Sequence, residues 1–530
     1  QKTLSKNFTL YADYKKNFND RHDLSVMVGT SHESENYDRF TAKRINFDQQ
    51  ENMSLQLGSA QDQNAWSEGN QWTINSFFSR VNYTFANKYV IEGTIRADGS
   101  SRFDPDHRWG WFPGVNAAWR VGEEGFMKRL GWFEDLKVRA SYGEMGNQSG
   151  IGLYDYIQLI SLSNDYYPFG AGVKGQMATS GNIISTSRTW ETIQTTNVGF
   201  DFSTLNNRLY GSFDYFWKEN KNMLIPKTYP SMLGADAPST NSGHLSIHGW
   251  EISLGWRDQI KDFSYSVRFN ISDAKNKVVD RVGSNLIKLG NNETPTGYPL
   301  NSYFGYEFDG IIQNEQELEA YKSRFSEGGI PGDLSVGDAM YKDLDGDGKL
   351  SVLGDGKEGS GDVKYLGDKN PRYNFGFNLS MAWKGFDLSA FIQGVGRRTM
   401  FLEGESRCPM PEAWYQSAEY WYGKTWTPER TDAQYPAITL KDKRNYNYYV
   451  STNTKFNVAY ARLKNLQFGY TIPQTLTSKA GLQKVRVYFS GEDLFEVHNT
   501  PNGWDPEENS GSITSYPFTR NYSFGINVVF

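Results

Sequence analysis

The sequence predicts an all-β protein, a transmembrane antiparallel β-barrel or the C-terminal portion of one, on three observations. Apolar and polar residues alternate strictly along many segments. Short turns and long polar stretches take turns as the connections between those segments. The chain also ends on a strand whose oily positions finish at Phe530.

The last strand shows the pattern most plainly. Tyr522, Phe524, Ile526, Val528 and Phe530 fall on one side, and Ser523, Gly525 and Asn527 on the other. Side chains on a strand alternate faces, so one face is oily and aromatic while the other is small and polar. Leu136, Val138, Ala140 and Tyr142 alternate in the same way with Lys137, Arg139, Ser141 and Gly143. Trp250, Ile252, Leu254 and Trp256 alternate with Glu251, Ser253 and Gly255. Phe263 to Ile271 alternate with Ser264, Ser266, Arg268, Asn270 and Ser272. Tyr373 to Trp383 alternate with Asn374, Gly376, Asn378 and Ser380. Period two is the strand signal. Arg and Lys on the second face require that face to be wet.

Asn87-Lys88, Leu205 to Arg208 and Lys384-Gly385 read as tight turns. Residues 144–196, 219–249, 274–372 and 394–459 read as long loops. Short turns on one rim and long loops on the other match an outer-membrane barrel, with the turns in the periplasm and the loops outside. The pattern gives roughly fifteen strands over residues 1–530, read as one barrel portion with its loops. The first, near Phe8 to Tyr14, precedes a short turn, and the last follows a long loop, so both run toward the periplasm. Two strands of one sense cannot close an antiparallel barrel. An odd number of strands is therefore expected upstream of Gln1.

Composition agrees. The chain has 33 Tyr, 33 Phe and 15 Trp, which suits the aromatic girdles of such barrels. Mean hydropathy is −0.64 and no run of eighteen apolar residues occurs, which excludes a helical membrane protein. A net charge of −6 argues against a nucleic-acid partner. The single Cys408 rules out an internal disulfide framework, and without an activating histidine near it in sequence it gives no sign of a nucleophile. No phosphate loop or Ser-His-Asp arrangement can be placed, so no enzymatic activity is expected.

An ordered series of motifs resembles the SusC/RagA-type TonB-dependent outer-membrane transporters. It comprises Phe78 to Phe85, Arg96-Ala-Asp-Gly-Ser-Ser-Arg-Phe103, Arg108-Trp-Gly-Trp-Phe-Pro-Gly114 and Leu136 to Gly143 with Gly146-Asn147. Asp343 to Lys349, Leu366 to Tyr373, Leu463 to Tyr470, Gly503-Trp-Asp-Pro506 and Tyr516 to Tyr522 continue it. The resemblance implies a barrel of about twenty-two strands in outer-membrane lipid. It implies an N-terminal plug and a TonB-engaging segment, neither of which this chain shows ahead of Gln1. A SusD-like surface lipoprotein serving as a lid is implied too, and pairing of two transporter–lipoprotein complexes is left open. The implied activity is active import of glycan fragments or oligopeptides. A passive porin and a soluble secreted carbohydrate-binding β protein are the alternatives.

Three sets of residues are candidates for function. Asp343, Asp345 and Asp347, with the Lys349 carbonyl and the Ser351 hydroxyl, match the first positions of an EF-hand-like loop for Ca²⁺ or Mg²⁺. Position twelve is Gly354, so Asp355, Glu358 or Asp362 would have to stand in for the missing acid. Arg139, Arg268, Asn270 and Asn374 should face the lumen. Tyr166, Tyr167, Trp414, Tyr420 and Trp421 could contact a substrate or the lid, since aromatic rings supply large contact area with a polar edge. His244 and His248 are read as loop or girdle residues, not metal ligands.

Overall fold

Fifteen strands form one antiparallel sheet in which sheet order follows chain order. They are β1 (Lys2–Phe18), β2 (His22–Lys43), β3 (Asn64–Phe85), β4 (Tyr89–Ser100), β5 (Trp109–Arg120) and β6 (Asp135–Asn147). β7 (Glu191–Thr204), β8 (Leu209–Pro226), β9 (Ser239–Ile260) and β10 (Phe263–Asp280) follow. β11 (Arg372–Trp383), β12 (Phe386–Arg397), β13 (Tyr460–Thr471), β14 (Lys484–His498) and β15 (Asn521–Val529) complete the sheet. This computed structural model describes residues 1–530 apart from 48–50, 52–53, 62, 170–172, 181–182, 227–231, 233–237, 282–288, 291–293, 354–360, 412–415, 440–442, 509–510, 512–515 and 517. Among the described residues, no helix is long and apolar enough to cross a membrane, which says nothing of crossing by strands. The chain divides into two compact units, described in turn.

The first unit holds residues 1–120, 139–197 and 218–245. Its strands β1 to β5 present an exposed oily face. Phe18, Phe85, Tyr89 and Trp119 lie at the short-turn end of that face, and each is between 37 and 45% exposed. Register places Phe85 opposite Tyr89 and Tyr89 opposite Trp119, and both ring pairs stack at 6.3 Å. A second aromatic level holds Phe77, Trp109 and Trp111, with Phe77 stacked on Trp109 at 6.0 Å. From Phe77 to Phe85 the strand rises about 27 Å at ~3.4 Å per residue. Tilted by ~40°, that spans about 21 Å of membrane depth, within the ~25 Å apolar band of an outer-membrane barrel. On the opposite face, Glu92 accepts hydrogen bonds from Asn82 at 3.2 Å and Asn116 at 3.1 Å. A buried cluster of Phe103, Phe112, Ile151 and Trp190 also packs in this unit. The Phe112 ring lies where a Cβ at Gly146 would fall, 2.2 Å away, so the Gly146-Asn147 motif leaves that space free.

The second unit holds residues 121–138, 198–217 and 246–530. Here the register can be read across six strands. One row runs Tyr265, Met381, Leu388, Phe468, Phe489, Phe524. The next runs Phe263, Trp383, Phe386, Tyr470, Val487, Ile526. Between them lies the row Ser264, Ala382, Asp387, Gly469, Tyr488, Gly525, and beyond Tyr265 lies Ser266, Ser380, Ser389, Gln467, Ser490, Ser523. Adjacent rows point to opposite faces, so the oily and polar surfaces are each continuous. The tight turns use left-handed backbone. Leu205, Asn206 and Asn207 have φ of 56°, 59° and 60°, and Lys384-Gly385 has 45° and 90°. Such φ values match the right-handed twist of the strands they join.

Several sequence-based boundaries shift. β1 is longer than Phe8 to Tyr14, and β6 to β10 run on into segments read as loops. β2, β3 and β9 have 22 residues each, whereas crossing the bilayer takes ~9–11. Ladder pairing continues past the hydrocarbon because backbone groups still favour partners there, although the apolar alternation is no longer required. His244 and His248 lie in β9 for this reason, not in a loop. His244 Nε2 contacts Glu219.

Two neighbouring substitutions test the assignment of faces. Val267→Arg places a charge on the oily face and should cost about 2–4 kcal/mol near the bilayer centre. Arg268→Ala, on the other face, should cost under ~1 kcal/mol. Folding into lipid vesicles across a denaturant series measures both, and equal costs would contradict the assignment.

Candidate functional site

The polar face is where the residues proposed to face the lumen lie. Arg268 pairs across the ladder with Asn378 and Asn270 with Gly376, and Ser272 pairs with Asn374. Arg268, Asn270 and Asn374 therefore share the face that carries Ser266 and Ser380. In the first unit, Arg139 Nη1 donates to Asn197 Oδ1 at 3.5 Å.

The strongest charge network was not among the sequence-derived candidates. Arg462 on β13 is only 1% exposed. Its Nη2 meets Asp505 at 2.9 Å, Nη1 lies 3.1 Å from Glu507, and Nε lies 3.6 Å from Glu496. The Phe518 ring lies 4.2 Å from the guanidinium carbon. Lys464 bridges Asp493 at 2.8 Å and Glu507 at 3.0 Å, and Arg520 bonds Glu496 at 2.6 Å. A buried charge survives only when paired, and here three carboxylates pair one guanidinium. The Gly503-Trp-Asp-Pro506 motif is thus the arm that delivers Asp505 to Arg462. Separations of some forty residues between the partners hide the network from any local sequence pattern.

The loop between β10 and β11 builds a small core that Tyr446, from the loop between β12 and β13, completes. Tyr306, Ile312, Leu318, Tyr321, Phe325, Leu334, Ala339, Tyr341, Leu350 and Tyr446 are buried together. Its helix α1 (Glu315–Arg324) starts at Asn314, whose side chain accepts from the Glu317 N–H. Buried hydroxyls are satisfied: Tyr321 and Tyr446 share a 2.6 Å hydrogen bond, and Tyr341 donates to the Tyr446 carbonyl at 2.7 Å. Burial pushes the Tyr321 hydroxyl up to about 12.

The acidic motif sits beside this core. Carboxylate oxygens of Asp343, Asp345 and Asp362 all lie within 4.8 Å of one another. Oxygens sharing one Ca²⁺ at ~2.3–2.6 Å can be no more than ~5 Å apart, so the spacing fits. Asp362, fully buried, accepts from the Leu344 N–H at 2.7 Å and the Ser351 N–H at 2.8 Å. Asp343 accepts from the N–H groups of Gly346 and Gly348. Burial raises the Asp362 carboxyl above its ordinary range, and the charges of Asp345 and Asp343 add to that; Asp345 is raised as well, mainly by burial. Asp347 is not part of that cluster and accepts from the Lys349 N–H at 2.8 Å. Lys349 joins a parallel bridge with Gly328. Asp355 and Glu358 lie outside the described residues.

The aromatic candidates fare differently. Tyr420 and Trp421 are buried, in a cluster with Met400, Leu402, Cys408, Tyr435, Tyr448, Val458 and Trp504. Tyr420 bonds the Tyr435 hydroxyl at 2.7 Å. Neither offers a ring to a substrate or lid, which corrects the expectation of a contact surface: these adjacent aromatics hold the loop interior together. Tyr422, 90% exposed, is the free ring of that triplet. Tyr166 and Tyr167 lie in a strand, Ile160–Phe169, and their side chains lie outside the described residues, as does Trp414.

Residues 1–494 match the family described as TonB dependent receptor-like, beta-barrel. The chain belongs to that family. It is 31% identical to TonB-dependent receptor P3 of Formosa agariphila over all of this chain and 52% of that protein. It is 26% identical to TonB-dependent receptor SusC of Bacteroides thetaiotaomicron over 99% of this chain and 50% of that protein. The chain thus spans about half the length of the curated relatives it matches. The solved RagAB peptide transporter superposes with a TM-score of 0.81 at 23% identity, over 99% of this chain and 55% of that one. Family and fold place the chain in the bacterial outer membrane, and its relatives are receptors and transporters, not enzymes.

One carboxylate held by two cations makes the loop core sensitive to pH. Glu307 bonds Lys342 at 2.7 Å and also Lys364, and these two cations hold its carboxyl at about 2. A depressed carboxylate pKa stabilises the fold above the unfolded value of about 4.5, and that contribution fades as pH falls toward about 2. Protection against hydrogen exchange at Tyr306 and Tyr341, measured relative to the unprotected peptide rate at each pH, should therefore fall as pH drops across that window, and Glu307→Gln should flatten the response.

Proposed function

We propose that the chain forms the barrel wall of a TonB-dependent active importer of glycan fragments or oligopeptides that works with a SusD-like surface lipoprotein. Membership of the TonB-dependent receptor family carries this reading. Two structural features support it. The continuous oily rows suit lipid, and the continuous polar rows suit a water-filled path with Arg268, Asn270 and Asn374 along it. The long loops carry packed cores of their own, as a rigid platform for an external lid requires. Energy would enter through a plug and TonB; the wall's part is to hold the path open and orient cargo. In cells carrying the whole protein, uptake of a labelled oligosaccharide or oligopeptide should stop when tonB is deleted. Uptake that persists would point to passive diffusion through a porin.

We propose further that Asp343, Asp345 and Asp362 hold Ca²⁺. Three carboxylates that crowd one another suit a divalent cation that offsets their repulsion. Tb³⁺ should bind and luminesce when nearby tyrosines are excited, and Ca²⁺ should compete it away. Asp362→Ala should abolish the signal; an unchanged signal would refute the site.

A further inference from the structure

We propose that the connection between β5 and β6 is a membrane foot, whose Phe126, Leu130 and Trp132 enter the phospholipid headgroup layer of the periplasmic leaflet; this rests on the reading that the oily face meets lipid. β5 ends at Arg120 and β6 begins at Asp135, so the connection lies at the short-turn end. In the same unit, the turns Lys261-Asp262 and Lys384-Gly385 carry no apolar side chain. This connection instead forms a six-residue helix, Gly125–Leu130, ended by Gly131 at a φ of 63°. Helix positions four apart share a face, so Phe126 and Leu130 point one way and Lys128 the other. Phe126 and Leu130 are each 50% exposed, and Trp132, just past the helix, is 67% exposed.

Packing fixes the side of the sheet on which the segment emerges. Phe133 meets Phe202 edge to face at 6.4 Å, Phe202 meets Phe200 at 6.2 Å, and Phe200 meets Phe213 at 5.8 Å. A Cβ at Gly211 would fall 2.9 Å from both Phe202 and Leu254, so Leu254 lies on the same face as these rings. Trp256, two residues on, donates its indole N–H to the Tyr265 hydroxyl at 3.1 Å. Tyr265 opens the oily row that runs to Phe524. The oily face is therefore continuous as far as Phe133. The backbone is pinned there too. The Thr204 hydroxyl donates to the Trp132 carbonyl, and the Glu134 N–H donates to the Ser203 carbonyl at 2.9 Å. The Asn206 N–H donates to the Glu134 carboxylate at 2.7 Å. Leu205, in the turn these bonds reach, adds a fourth exposed apolar side chain.

That position names the occupant. A plug would fill the polar face, and further strands would join at the open edges β1 and β15, whereas β6 and β7 lie inside the sheet order. Lipid covers the oily face up to its rim, and at the rim the headgroup layer begins. Tryptophan suits that layer, with an apolar body and one N–H donor. A helix this short is not stable alone in water, but strands hold both ends of this one, so lipid need not fold it. Charge is not the attraction. Lys128 is matched by Glu123 at 2.6 Å, and the connection holds three acids, Glu123, Glu124 and Glu134, against Lys128 and Arg129. Insertion is thus apolar and needs no anionic lipid, and it sets the depth at which the wall rides in the bilayer. In the whole protein in lipid vesicles, Phe126→Cys, Leu130→Cys and Trp132→Cys each carry a nitrobenzoxadiazole label, with the identically treated parent as blank; Cys408 is buried. Each label should lose fluorescence to nitroxide lipids, more to a headgroup nitroxide than to one deep in the acyl chain. The loss should be equal in phosphatidylcholine and phosphatidylglycerol vesicles. A label at Lys384→Cys should be quenched by aqueous iodide instead. Phe200→Cys separates the two ways of failing. Lipid quenching at Phe200→Cys with none at the three foot positions overturns the foot alone. No lipid quenching at Phe200→Cys overturns the lipid-facing reading as well. Quenching of the foot in anionic vesicles only overturns its apolar basis.

Discussion

A backbone in hydrocarbon must satisfy every N–H and C=O within the protein, and the rest of this structure follows from that constraint. An unsatisfied group costs several kcal/mol in lipid, so strands can cross only as a continuous ladder. Thirteen of the fifteen strands meet this on both edges by pairing with their neighbours in the sheet, and β1 and β15 meet it on one. Because the ladder is continuous, the period-two alternation of each strand joins with that of the next. Rows such as Tyr265, Met381, Leu388, Phe468, Phe489, Phe524 result, and a polar row lies on either side of them. One set of hydrogen bonds thereby creates both a surface for lipid and a surface for water.

The polar face then poses a second problem, which is where its charges go. Some are neutralised across the sheet, as in Arg486 with Asp387 and Lys137 with Asp201. Arg462 is neutralised from the loop side, where Asp505 and Glu507 arrive on a returning segment. Such pairing adds little net stability over apolar packing, but removing one partner would strand the others. The network therefore fixes where the Gly503 to Pro506 arm lies more than it strengthens the fold.

Much of the wall was legible in the sequence because its physics is local. Alternation such as Phe263 to Ser272 and the turn at Lys384-Gly385 are set within a few residues, and both the strand number and the two faces follow from them. Strand ends were less legible. β9 continues through His244 because pairing persists after the lipid pattern stops. The loops were least legible, since their order depends on residues far apart in the chain. Tyr321 meets Tyr446, Asn447 bonds Asp338 at 2.9 Å, and Trp421 packs on Tyr435. An aromatic triplet looks the same in sequence whether it faces a partner or its own core. The acidic loop lies between these cases: Asp343 and Asp345 are a local motif, whereas Asp362 joins them only after the chain returns.

The claim beneath all of this is that lipid touches one face of these strands and water the other. Single spin labels at each position from Phe263 to Ser272, in lipid vesicles, test it most directly. Collisions with oxygen, which dissolves in lipid, should peak at Phe263, Tyr265, Val267, Phe269 and Ile271. Collisions with a water-soluble nickel chelate should peak at Ser264, Ser266, Arg268, Asn270 and Ser272. Two profiles in phase, or neither with a period of two, would contradict the account.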